Sequence, residues 1–334
     1  MKPVWLVALL VLPAAPLAGQ QIDPKPTPPA SATMVRRGLE GLAKQIDDLY
    51  WHEKLGDLAL IDKVTIATSK PVRMENPKGQ GAGNSLLMHG YTFVPKSLGA
   101  KKGPLIVVVH SGVHGDFGAD LNSHIVRELL EQGYTVVAPE YRGSTGYGDD
   151  FYEQIDYGGA EIDDTHDFRN WAVENLASVD PKRVGIIGWS HGGYHTLFNI
   201  FNWPNDYQVA YAGVPVSDLV QRMGYKSQGY RDLFKGFLGK EAVDDPAEYR
   251  KRSPVNHVDQ LKIPLLVHTN TTDEDVNVME VQHLLEAFKA AGKSVESKVY
   301  ENAPGGHYFN MIDTKLARES RREVWAFLAR VLKP

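Results

Sequence analysis

Apolar residues fall along this chain in two rhythms. Unbroken apolar runs recur in "PLIVVVH" (104–110), "YTVVAPEYRG" (134–143), "RVGIIGWS" (183–190), "VAYAGVPVS" (209–217) and "PLLVHTN" (264–270). A strand with no polar alternation is covered on both faces, as in a parallel sheet. Between the runs, apolar residues three and four apart predict helices in "SHIVRELLEQG", "DDTHDFRNWAVENL", "HGGYHTLFNIF", "VMEVQHLLEAFKAAG" and a last helix over about Leu316 to Leu332. "SVESKVYEN" adds a strand before that last helix. Strands alternating with helices predict an α/β class: a doubly wound, mostly parallel sheet with helices on both faces. No internal period points to a solenoid or propeller.

The N-terminal part reads differently. Leu39, Leu42, Ile46 and Leu49 predict an amphipathic helix starting at Met34, and "KVTIAT", "ENPKGQGAGN" and "LLMHGYTFVP" predict a hairpin with a Gly-rich turn. Ahead of them, Lys2, the apolar run Val4 to Leu12 and small residues through Gly19 have the grammar of a signal peptide over 1–20. Residues 21–33 are Pro-rich and predict a linker. The expected division is thus 1–20 signal peptide, 21–33 linker, 34–84 N-terminal helix and start of the hairpin, and 85–334 catalytic domain.

Composition narrows the function classes. The chain has 334 residues, a formal net charge of −5 and no cysteine. With no basic stripe, nucleic acid is not an expected partner. Export without cysteine requires a fold independent of disulfides, and the missing Cys after the small residues leaves no lipoprotein anchor. The expected location is secreted or periplasmic, with no stable membrane insertion after cleavage.

In doubly wound sheets chemistry gathers beyond the carboxyl ends of the strands. Four places qualify: His110 to Gly115, Ser190, Asp273 to Asp275, and His307. Ser190 ends an apolar run, opens a helix and lies between Gly188 and Gly192, a G-x-S-x-G in the strand–turn–helix setting of a nucleophile. His307, on a Gly-rich loop after the last strand, is the expected base. Asp273, Glu274 and Asp275 supply a carboxylate to orient it, giving the chain order Ser, Asp, His. The oxyanion hole is expected from the His191 N–H and from Ser111 or Gly112. His110 with His114, and His191 with His195, have the four-residue spacing of metal pairs. Neither pair carries the H-E-x-x-H glutamate, so no metal or cofactor is expected.

Taken together, "YRGSTGYG", "GWSHGGY", "SPVNHV", "IPLLVH", "DEDV" and "GGHYF" resemble, in that order, the catalytic domain of the prolyl oligopeptidase family of serine peptidases, over about residues 85 to 334. That family includes dipeptidyl peptidases and acylaminoacyl peptidases. The resemblance implies an α/β-hydrolase fold and a peptide substrate. The family's acid precedes a Val by three residues, which selects Asp273 before Val276, with Asp275 as the alternative. The family's β-propeller would need blades of about 40 residues each, and none is expected between the linker and the matched region. The resemblance places Val216, Leu219, Arg222 and Val276 in the substrate pocket. Leu219, Arg222 and Lys226 stand where proline-specific members carry Trp and Tyr, so strict proline specificity is not implied. The expectation is a serine peptidase working through an acyl-enzyme on a peptide or small acyl substrate, with a possible homo-oligomer. A carboxylesterase is the alternative, and a non-catalytic binding protein on the same scaffold comes third.

Overall fold

The protein is described from a computed structural model that covers residues 30–74, 77–79 and 81–334. The signal-peptide reading and most of the linker lie outside the described residues. Eight strands form one sheet: β1 (Ala59–Ala67), β2 (Leu87–Pro95), β3 (Gly103–Val109), β4 (Thr135–Glu140), β5 (Val179–Trp189), β6 (Val209–Gly213), β7 (Leu265–Asn270) and β8 (Glu296–Tyr300). Around them lie α1 (Ala30–Leu55), α2 (Ala119–Leu130), α3 (Asp149–Tyr152), α4 (Ala160–Asn175), α5 (His191–Asn202), α6 (Leu219–Tyr225), α7 (Gln228–Leu238), α8 (Pro246–Lys251), α9 (Val278–Ala290) and α10 (Lys315–Leu332). The sheet order is β1-β2-β4-β3-β5-β6-β7-β8. β2 runs antiparallel to both neighbours, and every pairing from β4 across to β8 is parallel.

The apolar runs explain this layering. On β3, Leu105, Val107 and Val109 enter one core while Ile106 and Val108 enter the other. The first core is closed by α4, α5 and α9 through residues such as Phe168, Leu197 and Leu284. The second is closed by α1, α2 and α10 through Trp51, Leu129 and Leu328. A strand that feeds both cores has no face left for polar residues.

Two boundaries differ from the sequence reading. α1 begins at Ala30, inside the segment read as a linker. β1 pairs with β2 from Ala59↔Pro95 to Ala67↔Leu87, so the sheet runs straight across the division placed at residue 84.

α1 also turns a different face inward from the one its Leu and Ile residues suggest. Leu39, Leu42, Ile46 and Leu49 are exposed, whereas Trp51, Leu55 and Lys44 are buried. Trp51 stacks on Phe117 at 5.2 Å and meets Phe93 edge-on at 4.8 Å. Lys44 can go under because its ammonium lies 2.7 Å from Glu140 and 2.9 Å from Asp116 and donates to the Phe117 carbonyl. A buried ammonium is tolerated only when paired and hydrogen-bonded in this way.

Candidate active site

Ser190 sits where β5 gives way to α5, with φ 57° and ψ −118°. That left-handed backbone is strained for any residue with a side chain. The surroundings enforce it. The Ser190 N–H donates to the Gly213 carbonyl, and its own carbonyl accepts from Tyr194 and Val216. A Cβ on Gly188 would collide with the Gly192 backbone, and one on Gly192 with the Val109 carbonyl. On Gly193 it would press against Pro215 at 2.9 Å. The three glycines therefore let α5 start directly against β3 and β6, with the serine at its tip.

His307 is held by a second set of contacts. Gly305 and Gly306 precede it at φ 96° and 52°. A Cβ on Gly305 would strike Ile312, and one on Gly306 would strike the Glu274 carboxylate. That carboxylate accepts the His307 N–H at 3.1 Å. Asn270, the last residue of β7, clamps the same loop: it accepts from Ala303 N–H and donates to the Ala303 and Gly306 carbonyls. His307 Nδ1 then lies 2.9 and 2.8 Å from the two oxygens of Asp273, whose side chain is fully buried. Asp273 Oδ1 also accepts the N–H groups of Asp275 and Val276, each at 2.8 Å. A carboxylate with this many donors is fixed in place and imposes its orientation on the ring.

Asp275 has a different position. Its Oδ2 lies 3.7 Å from His307 Nε2, on the opposite side of the imidazole from Asp273. Arg222 pairs with it at 3.1 Å and Lys226 pairs with it too. Burial works against the Asp275 charge, but Arg222 and Lys226 outweigh burial and hold its carboxyl below the ordinary range.

Of the oxyanion residues, His191 is the first residue of α5, so its N–H has no intrahelical acceptor. Gly112 takes φ 78° in the loop after β3. Its carbonyl accepts from Gly115 N–H and from the Tyr141 hydroxyl at 2.7 Å. Ser111 shares that loop, and its carbonyl approaches the His110 ring at 3.1 Å. The four residues expected in the substrate pocket lie deep in this structure. Leu219 and Val276 have no exposed surface at all and belong to the core. Val216 and Arg222 keep 2% each. The Arg222 guanidinium is committed to Asp275, Glu280, Tyr225 and Tyr230 rather than open to a ligand. Matching positions to a family's motif locates a residue along the chain but not the depth of its side chain.

The sequence profile of the prolyl oligopeptidase family matches residues 121–334. The chain belongs to that family. Among curated relatives, this prolyl oligopeptidase-family chain is 29% identical over 224 residues to the uncharacterized peptidase YuxL of Bacillus subtilis, covering 66% of this chain and 34% of that protein. It is 28% identical to the acylamino-acid-releasing enzyme of Arabidopsis thaliana (60% and 27% of the two chains). It is 26% identical to dipeptidyl aminopeptidase BIII of Pseudoxanthomonas mexicana (79% and 39%). The chain thus spans between about a quarter and two fifths of the length of these relatives. In fold it is similar to the Pyrococcus horikoshii acylaminoacyl peptidase, with a TM-score of 0.67, 21% identity, and 83% of this chain against 43% of that one. The fold is that of the α/β-hydrolase peptidase domains.

Sequence reasoning missed one cluster in this family member. Glu161, at the start of α4, meets His191 and His195 of α5, and all three side chains are buried. The H-x-x-x-H spacing is visible in the sequence, but nothing local ties it to an acid 30 residues upstream. Glu161, the second residue of α4, is drawn into the core because its Oε1 accepts the Gly158 N–H at 2.9 Å.

Proposed function

We propose that this chain is a serine peptidase in which Ser190 is the nucleophile, His307 the general base and Asp273 the group that orients the base. One observation carries the reading. A serine held at φ 57° between glycines shares the strand ends with an imidazole whose Nδ1 is fixed on a buried carboxylate. With Nδ1–H donated to Asp273, His307 Nε2 is left as the acceptor. It takes the Ser190 hydroxyl proton as Oγ attacks the scissile carbonyl, then returns that proton to the leaving amine. Water enters, its oxygen attacks the acyl carbon as Nε2 removes its proton, and Nε2 returns that proton to Ser190 Oγ as the acyl–oxygen bond breaks. Asp273 stays ionised throughout and stabilises the imidazolium. The His191 N–H, with a donor from Ser111 or Gly112, would bind the oxyanion, an arrangement worth about 10²–10³ in rate per donor. Family membership supports amide substrates.

Fluorophosphonate labelling tests the chemistry. The folded chain should label and Ser190→Ala should not; a wild-type chain that resists labelling sinks the reading. Turnover of aminoacyl anilides against short acyl esters tests the substrate class, and negligible amide turnover beside fast ester turnover would make the enzyme a carboxylesterase.

The proposed location is secreted or periplasmic, supported by the grammar of residues 1–20. N-terminal sequencing of the mature chain after export tests it, and an intact Met1 in the cytoplasmic fraction overturns it. Self-association is supported by α1. Val35, Leu39, Leu42, Ile46 and Leu49 are exposed at alternating four- and three-residue steps, the seam of a helix pair. A monomer mass by light scattering at every concentration tried would remove it.

A further inference from the structure

We infer that Glu161, His191 and His195 form a binding site for one divalent transition-metal ion of the zinc class, placed behind the nucleophile turn and structural in role.

The geometry is that of a ligand set. His191 Nε2 lies 3.3 Å from His195 Nε2 and 3.2 Å from Glu161 Oε1, and His195 Nε2 lies 3.7 Å from the same oxygen. Nitrogen and oxygen ligands about 2.0–2.1 Å from a tetrahedral ion stand about 3.3–3.4 Å apart. Three atoms from two helices therefore occupy three corners of a coordination tetrahedron, and the fourth corner suits a water. The ligand types suit the zinc class: two imidazoles and a carboxylate.

The surroundings favour an ion over a hydrogen-bonded trio. Glu161 is completely buried, and among the described residues its ion-pair partners are His191 and His195, with no Lys or Arg. Its second oxygen, Oε2, is buried without a hydrogen-bond partner among the described residues. A hydrogen bond between two facing imidazole nitrogens leaves the carboxylate uncompensated, whereas a doubly charged ion neutralises it.

Supporting contacts reach His195 and Glu161, while His191 Nδ1 is buried without a hydrogen-bond partner among the described residues. The Thr165 hydroxyl lies 2.9 Å from His195 Nδ1, which turns Nε2 toward the cluster. Gly158 N–H donates to Glu161 Oε1. The rings of Tyr141, 4.3 Å from His195, and Tyr157, 4.7 Å from His191, pack over the site. An ion there would join α4 to the first turn of α5. It would hold the residue that follows Ser190 through its side chain while leaving its backbone N–H free. The ion takes no part in bond making, so the site stands or falls independently of the proposed hydrolysis.

Metal analysis of the purified full chain, supplied with zinc during expression and dialysed, tests this directly. About one zinc per chain is expected. Cobalt added to the chelator-stripped protein should give the visible absorption of a four-coordinate ion, and zinc should raise its melting temperature. Thr165→Val should weaken zinc binding about 10- to 100-fold, and Glu161→Gln or His195→Gln should abolish it. Wild-type protein that retains no metal and shows neither the cobalt spectrum nor a zinc-dependent melting shift overturns the inference. So does zinc binding that survives in both Glu161→Gln and His195→Gln.

Discussion

Replacing Asp273 by Asn removes one charge while sparing the shape, and the hydrogen bonds around it dictate the response. Oδ1 accepts two backbone N–H groups, from Asp275 and Val276, at 2.8 Å each. The new amide must keep its oxygen there, because turning its NH2 toward two donors would strand all of them in a buried site. The NH2 group then takes the place of Oδ2, 2.8 Å from His307 Nδ1. Two donors cannot face each other, so the imidazole carries its proton on Nε2 instead and can no longer accept one from Ser190. The expected fall in kcat is about 10⁴, or ~5.4 kcal/mol at the transition state. Stability should change far less, by about 1–2 kcal/mol, since the backbone anchors remain. Single-turnover hydrolysis of a peptide anilide, with urea unfolding alongside, separates the two quantities. If Asp273→Asn costs less than tenfold in kcat while Asp275→Asn costs several orders of magnitude, the orienting acid is Asp275 and the reasoning fails.

Three other outcomes rest on the same geometry. Gly306→Ala puts a Cβ against the Glu274 carboxylate that holds His307 N–H, so kcat should drop at least tenfold with ~1 kcal/mol lost in urea unfolding; unchanged kcat would show that the bond is dispensable. Arg222→Met strands the fully buried Glu280 carboxylate and should cost about 3–5 kcal/mol, with most of it recovered in Arg222→Met combined with Glu280→Gln; simple additivity of the two changes would refute the pairing. Burial lowers the His268 imidazole to about 4. The unfolded chain, with its ordinary value near 6.5, then binds the extra proton first. Stability should therefore fall as pH drops from about 6.5 to 4, by about 3 kcal/mol from this residue alone. Urea unfolding across that range should show a shallower slope in His268→Gln, and an unaltered slope would remove His268 as a cause.

Much of the fold, and where it places the candidate residues, was legible because it depends on local grammar. The strands β3 through β7 are apolar runs that only a doubly covered sheet accepts, and Ser190 and His307 sit on glycine turns whose spacing is itself the signal. What was not legible depends on distant partners. The face that α1 buries is set by Glu140 and Phe117, not by its own leucines. Likewise the depth of Leu219 and Val276 is set by how α6 and α9 pack. The segment between β6 and β7 reads as a mixed insertion, yet it folds into α6, α7 and α8. Its polar residues Asp218, Ser227 and Asp245 act as helix N-caps that short apolar stretches do not advertise.

The order of the strands also sets a timetable for synthesis. Ser190 follows β5, which pairs with β3, and Asp273 follows β7, which pairs with β6. The His307 imidazole comes later still along the chain, beyond β8 at the sheet's edge. A chain interrupted before β8 therefore contains Ser190 but lacks His307. On the proposed chemistry, such a chain cannot hydrolyse an acyl substrate.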